Sequence, residues 1–460
     1  MVSLNPSSVQ DAWASGIRLD IKMIRTLDLR GSRPSRAQLL ELIPRTEIDV
    51  DVAIEVAESL ISAVRTTGSS ALKEQALRLD KVSDYEIRVP QSHIDEAVTA
   101  LSPALRASLE TAIERVRQGS AAQVPPAVHT EVAPGARITQ RWQPVERVGL
   151  YVPGGKAVYP SSVIMNVVPA QVAGVGSIAL ASPPQAQFGG RIHPTILAAA
   201  GLLGVSEVYA MGGAGAIGAF AYGVEELDLV PVNVVTGPGN VYVAAAKRLV
   251  RGRVGIDSEA GPTEILVIAD SSARAEFVAA DLISQAEHDE MASAVLVTDS
   301  LELAEQVRAE VERQALSTAH SERVRTALTG PQSALVLVDD LSVAVDFSNA
   351  YGPEHLEIHA RSSHELVSQI TNAGAIFVGD YTPVSLGDYS AGSNHVLPTA
   401  GQALFASGLG AYTFLRPQQI IEYSKDALNV VSSGIRLLAD DEDLPAHGDA
   451  VDIRFKSEDN

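Results

Sequence analysis

After Val152 the chain changes its period, and that change limits what it can fold into. Short apolar runs alternate with helical stretches: Ser177–Ala181, Val208–Met211, Val232–Val235, Ile265–Ala269, Ala294–Thr298, Ala334–Val338 and Ala375–Val378. Strands separated by helices argue for parallel sheets with helices on both faces. The runs are too many for one small sheet, and they fall before and after Glu259. The expected fold class is therefore α/β, with two nucleotide-fold-like (Rossmann-like) parallel-sheet halves.

The flanks read differently. Residues 1 to about 47 have no long period and carry a small basic patch (Arg30, Arg33, Arg36), as an arm that packs on something else would. From Ile48 to Ala122 helical patterns dominate, as in Val52–Arg65 and Leu101–Arg117. Arg137 to Val152 alternates like two strands around a turn near Pro144. From Gly410 onward a helical pattern returns (Pro417 to Ala439), followed by a strand-like run, Val451 to Phe455. That tail is too small to bury a core of its own.

Composition removes several functions. With 35 basic and 56 acidic residues the net charge is −21, a surface that repels phosphate backbones, so no nucleic-acid partner is expected. There is no cysteine, hence no disulfide, no thiolate metal site and no cysteine nucleophile for an aldehyde. Met1 to Gly16 lacks the basic and long apolar regions of a signal peptide. The most apolar stretch, Val163 to Ala181, is interrupted by Asn166, Pro169 and Gln171, and reads as a buried helix plus strand instead of a membrane span. A cytoplasmic protein with no membrane partner is expected.

Several stretches carry chemistry. Leu282 to Met291 ends a helical pattern beginning near Ala275. At about 100° per residue, Asp281, Gln285 and His288 share one stripe while Val278, Leu282, Ile283 and Ala286 share another. A lone Gln-x-x-His is better explained by a solvated or core-satisfied pair than by a metal site. Gly213-Ala-Gly-Ala-Ile-Gly218 matches a dinucleotide fingerprint, but the acidic ribose partner expected about 20 residues on is missing. Asp228 comes too early. Gly237-Pro-Gly-Asn240 precedes a helix, and reads equally as a tight turn or as a capped phosphate site. Glu354 and His355 are adjacent; in a helix they would diverge by about 100°, so their convergence on one substrate points to a turn or helix start after Pro353. A neutral histidine suits removal of an alcohol proton, and a carboxylate suits activation of water.

Taken in order, Leu282–Met291, Tyr-Gly-Pro-Glu-His-Leu-Glu (351–357), Leu-Gly-Asp-Tyr-Ser-Ala-Gly-Ser-Asn-His-Val-Leu-Pro-Thr (386–399) and Glu442 with His447 resemble histidinol dehydrogenase. The resemblance spans nearly the whole chain and includes 149–155, 236–240 and 260–265. It implies an NAD-linked enzyme with one zinc per subunit that oxidises L-histidinol to L-histidine through bound L-histidinal, in the last two steps of histidine synthesis. By resemblance Gln285, His288, Asp388 and His447 are zinc ligands, and an N/O set of this kind suits that ion. His355 and Glu354 are the catalytic pair. Thr263, His395 and Glu442 meet substrate, alongside Gln285, His288, His355, Asp388 and His447. Tyr151, Gly215 and Asn240 are the nucleotide positions, and Gly215 stands where the family usually has Gln. The lack of cysteine fits oxidation through an aldehyde hydrate. The resemblance also implies a homodimer whose tails cross, so that each site takes His447 from the other chain.

The division expected is 1–47 as an N-terminal arm, and 48–150 with 265–409 as the main α/β domain carrying most of the zinc and catalytic site. Residues 151–264 form the NAD-binding α/β domain, and 410–460 a helical tail that is exchanged in a dimer. Two rivals remain at the sequence level: a paralogue acting on another amino or sulfo alcohol, and a zinc hydrolase using Glu354 as base. Retention of His395, Glu442 and His447 opposes the first. NADH formation excludes the second.

Overall fold

The computed structural model describes residues 23–45, 50–154, 158–259 and 261–456. Met1 to Gly16, Gly155 and Ala260, all used in the sequence reading, lie outside them. Fourteen strands follow in chain order: β1 (Arg25–Asp28), β2 (Val128–Ala133), β3 (Ala136–Pro144), β4 (Arg147–Tyr151), β5 (Ser177–Ser182), β6 (Val208–Ala210), β7 (Val234–Thr236), β8 (Gly255–Ile256), β9 (Glu264–Ala269), β10 (Ser293–Thr298), β11 (Ala334–Leu337), β12 (His355–His359), β13 (Ala375–Val378) and β14 (Leu415–Tyr423).

They form three sheets, ordered β1-β11-β10-β9-β12-β13, β6-β5-β4-β7-β8 and β14-β3-β2. The first two are parallel throughout, the third antiparallel. The two halves expected from the period change are both present. All seven apolar runs are strands, and Val163–Ala181 is a helix (Pro160–Ala173) followed by β5.

The strands of the six-stranded sheet are buried on both faces. Ile265, Val267 and Ala269 of β9 join one cluster with Val278 and Leu282, while Leu266 and Ile268 join another with Leu356 and Ile358. That two-sided burial is why parallel strands read as continuous apolar runs. The four α-helices between Val50 and Ala121 pack elsewhere. Leu60, Ile61, Ile94, Ile113 and Val116 share a core with Val148, Val167, Ile196 and Ile217. Residues 50–121 therefore pack against the five-stranded half, in a core that Val396 and Leu409 also join, and β4, which begins in the expected 48–150 segment, is that sheet's central strand.

Other expectations change as well. Part of the supposed arm is β1, an edge strand paired to β11 in register Arg25↔Ala334 to Asp28↔Leu337. The stretch from Pro417 is a strand before it is a helix: β14 runs the length of β3, and Ser424 then caps helix Lys425–Asp441. Partner pairing overrode local pattern there. Val451–Phe455 is not a strand; helix Pro445–Asp452 runs into a 3₁₀ turn, Ile453–Phe455. His355 opens strand β12, not a turn or helix. No helix among the described residues is long and apolar enough to cross a membrane.

Candidate active site

Thr263 and Glu264 lie where β9 begins, and Glu354 and His355 where its neighbour β12 begins, with His355 paired to Ile265. Helix Ala275–Ala286 runs back along the sheet, so its last turn brings Gln285 to the same end. A chain of hydrogen bonds joins them. Gln285 Nε2 donates to Thr263 Oγ1 (2.5 Å), Thr263 Oγ1 donates to Glu354 Oε2 (2.6 Å), and the Glu264 amide donates to that same oxygen (2.9 Å).

The histidine is oriented through its other nitrogen. His355 Nδ1 lies 3.0 Å from the Glu264 carbonyl oxygen, which can only accept, so Nδ1 carries the proton and Nε2 presents a lone pair. His355 Nε2 and Gln285 Oε1 are both buried with no hydrogen-bond partner. Orphaned buried atoms are costly unless a ligand meets them. Burial pushes the Glu354 carboxyl above its ordinary range, opposed by His355 and by the donors from Thr263 and Glu264.

Asp388, on the short helix Val384–Tyr389, and His395 face this group. His395 Nδ1 is 3.1 Å from the Asp388 carbonyl oxygen and 3.7 Å from its carboxylate. Burial lowers the His395 imidazole. His288, just past its helix, stays open to solvent on one side; crowding by protein on the others lowers its imidazole, against the opposing charge of Asp388. Neutral imidazoles, a carboxylate and an orphaned amide oxygen are donors that zinc accepts, so the residues present fit that ion. Glu442 and His447 are not brought here within one chain. Both are exposed on the tail.

The expected nucleotide positions Tyr151 and Asn240 lie at the carboxyl end of the five-stranded sheet. Tyr151 ends β4, and its hydroxyl accepts from the Gly213 amide (3.1 Å); burial raises this phenol to about 12. Gly237 follows β7 with φ 122°, and a Cβ there would lie 1.9 Å from the Tyr151 carbonyl oxygen, so only glycine fits. Asn240 caps helix Val241–Val250, accepting from the amides of Tyr242 and Val243. Its own side chain thus occupies amides that a phosphate could have used. Gly215 lies in helix Gly213–Tyr222, where a Cβ would meet Gln75 Oε1 at 2.1 Å. Ser162, near the start of the helix after β4, reaches across to His395 Nε2 (3.3 Å) and joins the two halves.

The family model of histidinol dehydrogenase matches residues 43–455. The chain belongs to the histidinol dehydrogenase family. As a member it is an oxidoreductase of histidine synthesis. It is 64% identical over 433 residues to the histidinol dehydrogenase of Leifsonia xyli subsp. xyli, covering 94% of this chain and 99% of that one. It is 55% identical to that of Nocardia farcinica, covering 94% and 98%. The crystal structure of the histidinol dehydrogenase of Elizabethkingia anophelis superposes with a TM-score of 0.88 at 33% identity, covering 95% and 99%.

Three supporting groups escaped the sequence reading. Arg45 binds Glu264 through Nε (2.7 Å) and Nη2 (3.2 Å) and stacks 4.3 Å from the Tyr351 ring. Lys247, fully buried, pairs with Asp257 and donates to the Gly237 carbonyl (3.0 Å). Asp281, Glu357 and His359 form a buried cluster under the site. Asp281 gave a signal by its place on the Gln285 stripe, and Glu357 by closing the 351–357 motif.

Proposed function

We propose that this chain oxidises L-histidinol to L-histidine through bound L-histidinal, with two hydrides passing to NAD. The single observation that carries the reading is the pair of orphaned buried atoms, His355 Nε2 and Gln285 Oε1, at one end of the sheet beside Glu354. Gln285, His288, Asp388 and the partner subunit's His447 would hold zinc, and Tyr151, Gly215 and Asn240 would line the nucleotide site. Zinc would supply a Lewis acid that orients and polarises the substrate, and NAD the hydride acceptor.

The chain's own residues do the rest. His355 Nε2 takes the hydroxyl proton, because Nδ1 is committed to the Glu264 carbonyl. Both donors to Glu354 land on Oε2, which leaves Oε1 to activate the water that hydrates the aldehyde. As the water adds, its proton goes to Glu354 and His355 returns the hydroxyl proton to the carbonyl oxygen, so that Nε2 is free again to take a proton from the hydrate as the second hydride leaves. Thr263, His395 and Glu442 contact substrate.

Completion by a second chain is supported by the tail. Glu442 and His447 lie on helical segments that expose Val430, Leu437 and Leu438 at 79%, 71% and 66%. A homodimer with exchanged tails would cover this face and deliver both residues. The enzyme would work in the cytoplasm. NADH formed per histidinol consumed tests the reaction: two supports it, and one reduces it to a simple alcohol dehydrogenase.

A further inference from the structure

Strand β12 alternates its side chains between two cores. Leu356 and Ile358 enter the apolar cluster on one face. His355, Glu357 and His359 point to the other, where the neighbouring strand β9 presents Ile265, Val267 and Ala269. Glu357 is fully buried there and His359 is 2% exposed. A buried carboxylate costs several kcal/mol unless it is hydrogen-bonded, so what Glu357 binds decides why it is tolerated.

It binds two other elements and a neighbour on its own strand at once. Glu357 Oε1 accepts from the Val384 amide at 2.9 Å. Oε2 lies 3.2 Å from His359 Nε2. Asp281 is hydrogen-bonded to the same carboxylate. Burial, reinforced by the Glu357 charge, raises Asp281 to about 8, so near neutral pH it is protonated and donates. Burial opposes charge on His359, but its bonds to Glu357 and Asp380 and the Glu357 charge raise it. The three ligand-type atoms lie within 4.8 Å of one another. Two donated protons and one amide already occupy both oxygens of the carboxylate, which argues for a clamp over a second cation site.

Each of the two bonded helices carries a residue of the candidate zinc site. Val384 opens the helix that ends at Tyr389, with Asp388 one turn on. Asp281 sits one turn before Gln285. A helix of six residues is too short to hold its own orientation, so its first amide must be fixed from outside. We propose that Glu357 is a positioning residue that sets Asp388 against Gln285 by holding the start of helix 384–389 to helix 275–286. The proposal rests on the zinc reading above.

The test compares zinc affinity of apoenzyme, by chelator competition, for wild type, Glu357→Ala, Glu357→Gln and Val384→Pro. Proline at a first helical position removes the amide donor but keeps the helix, so Val384→Pro breaks the same bond if Glu357→Ala fails to fold. Both should bind zinc about tenfold more weakly, the low end for supporting-shell changes, with the Michaelis constant for NAD unmoved. Glu357→Gln, which keeps an acceptor for the amide, should stay within a few-fold of wild type. Wild-type affinity in both Glu357→Ala and Val384→Pro overturns the clamp and leaves the zinc reading standing. So does a glutamine variant as weak as the alanine one. A second metal equivalent lost on substitution of Glu357 overturns it in favour of a cation site. Wild type that takes up no zinc overturns the zinc reading and the clamp with it.

Discussion

Both parallel sheets wind in the same way. In one, β4, β5 and β6 step outward and β7 returns to the far side of β4; in the other, β9, β10 and β11 step outward and β12 returns beside β9. Each therefore has a switch point, where ligands of such sheets ordinarily bind at the carboxyl ends. On the five-stranded sheet the candidate nucleotide positions obey that rule, with Tyr151 ending β4 and Gly237 to Asn240 following β7. The six-stranded sheet does not. At its carboxyl switch point the Asp270 carboxylate accepts from the amides of Ser272 (2.8 Å) and Arg361 (3.0 Å), and the Asp270 amide donates to the His359 carbonyl (3.1 Å). The crevice is filled by its own chain. The candidate chemistry has moved to the amino ends, at Thr263, Glu264, Glu354 and His355. One winding thus serves two purposes: small residues that let backbone come close in one half, charged side chains at the opposite end in the other.

The largest expected effect tests the amino-end site. His288→Ala should lose zinc and nearly all activity while remaining folded; metal analysis showing full zinc in the purified variant would remove His288 from the ligand set. Next comes the contribution of the second chain. Dimers of His355→Ala and dimers of His447→Ala should each be inactive. In the mixed dimer, crossed tails place both lesions in one site and none in the other, so a doubly tagged heterodimer should regain about half of wild-type activity. No gain over the parents would mean each site is built within one chain.

The carboxyl-end site responds more mildly. A glutamine at 215 adds one hydrogen bond to the nucleotide on family grounds, which by itself predicts a lower Michaelis constant for NAD. The packing reverses that expectation, because the new Cβ meets Gln75 Oε1 at 2.1 Å. Overpacking of this kind costs about 1–3 kcal/mol. Gly215→Gln should lose stability and raise the constant, whereas Gln75→Ala with Gly215→Gln should bring it a few-fold below that of the single variant. Steady-state titration of NAD decides, and a single variant that already binds better would show the loop to be pliable.

The smallest effect tests the filled crevice. Asp270→Ala should cost ~1–2 kcal/mol of stability with the Michaelis constant for NAD unchanged. Burial would raise this carboxyl, but its bonds to Ser272 and Arg361 win and lower it. A lowered carboxyl contributes stability above the ordinary aspartate range of about 4, and loses it as pH falls through the lowered value. Urea denaturation should therefore separate wild type from variant near pH 7 and bring them together in acid. A constant gap across that range would mean that charge plays no part.

Local pattern was enough for much of this protein. The apolar runs specified two parallel halves, because strands buried on both faces must be apolar throughout. The motifs around His288, Glu354, Asp388 and His395 pointed to candidate donors through their resemblance to the family; residue type alone says only which atoms can bind a metal or move a proton. Strand β12 was missed for the opposite reason: His355, Glu357 and His359 interrupt its apolar run, and only the tertiary structure supplies the partners that let them be buried. The same holds for residues 50–121, whose amphipathic helices could have covered either sheet, and for Gly215, whose missing side chain is answered by Gln75 from 140 positions away. Periodicity says that a face is buried but not against what. That choice depends on contacts between segments far apart in the chain, and these exist only once it has folded.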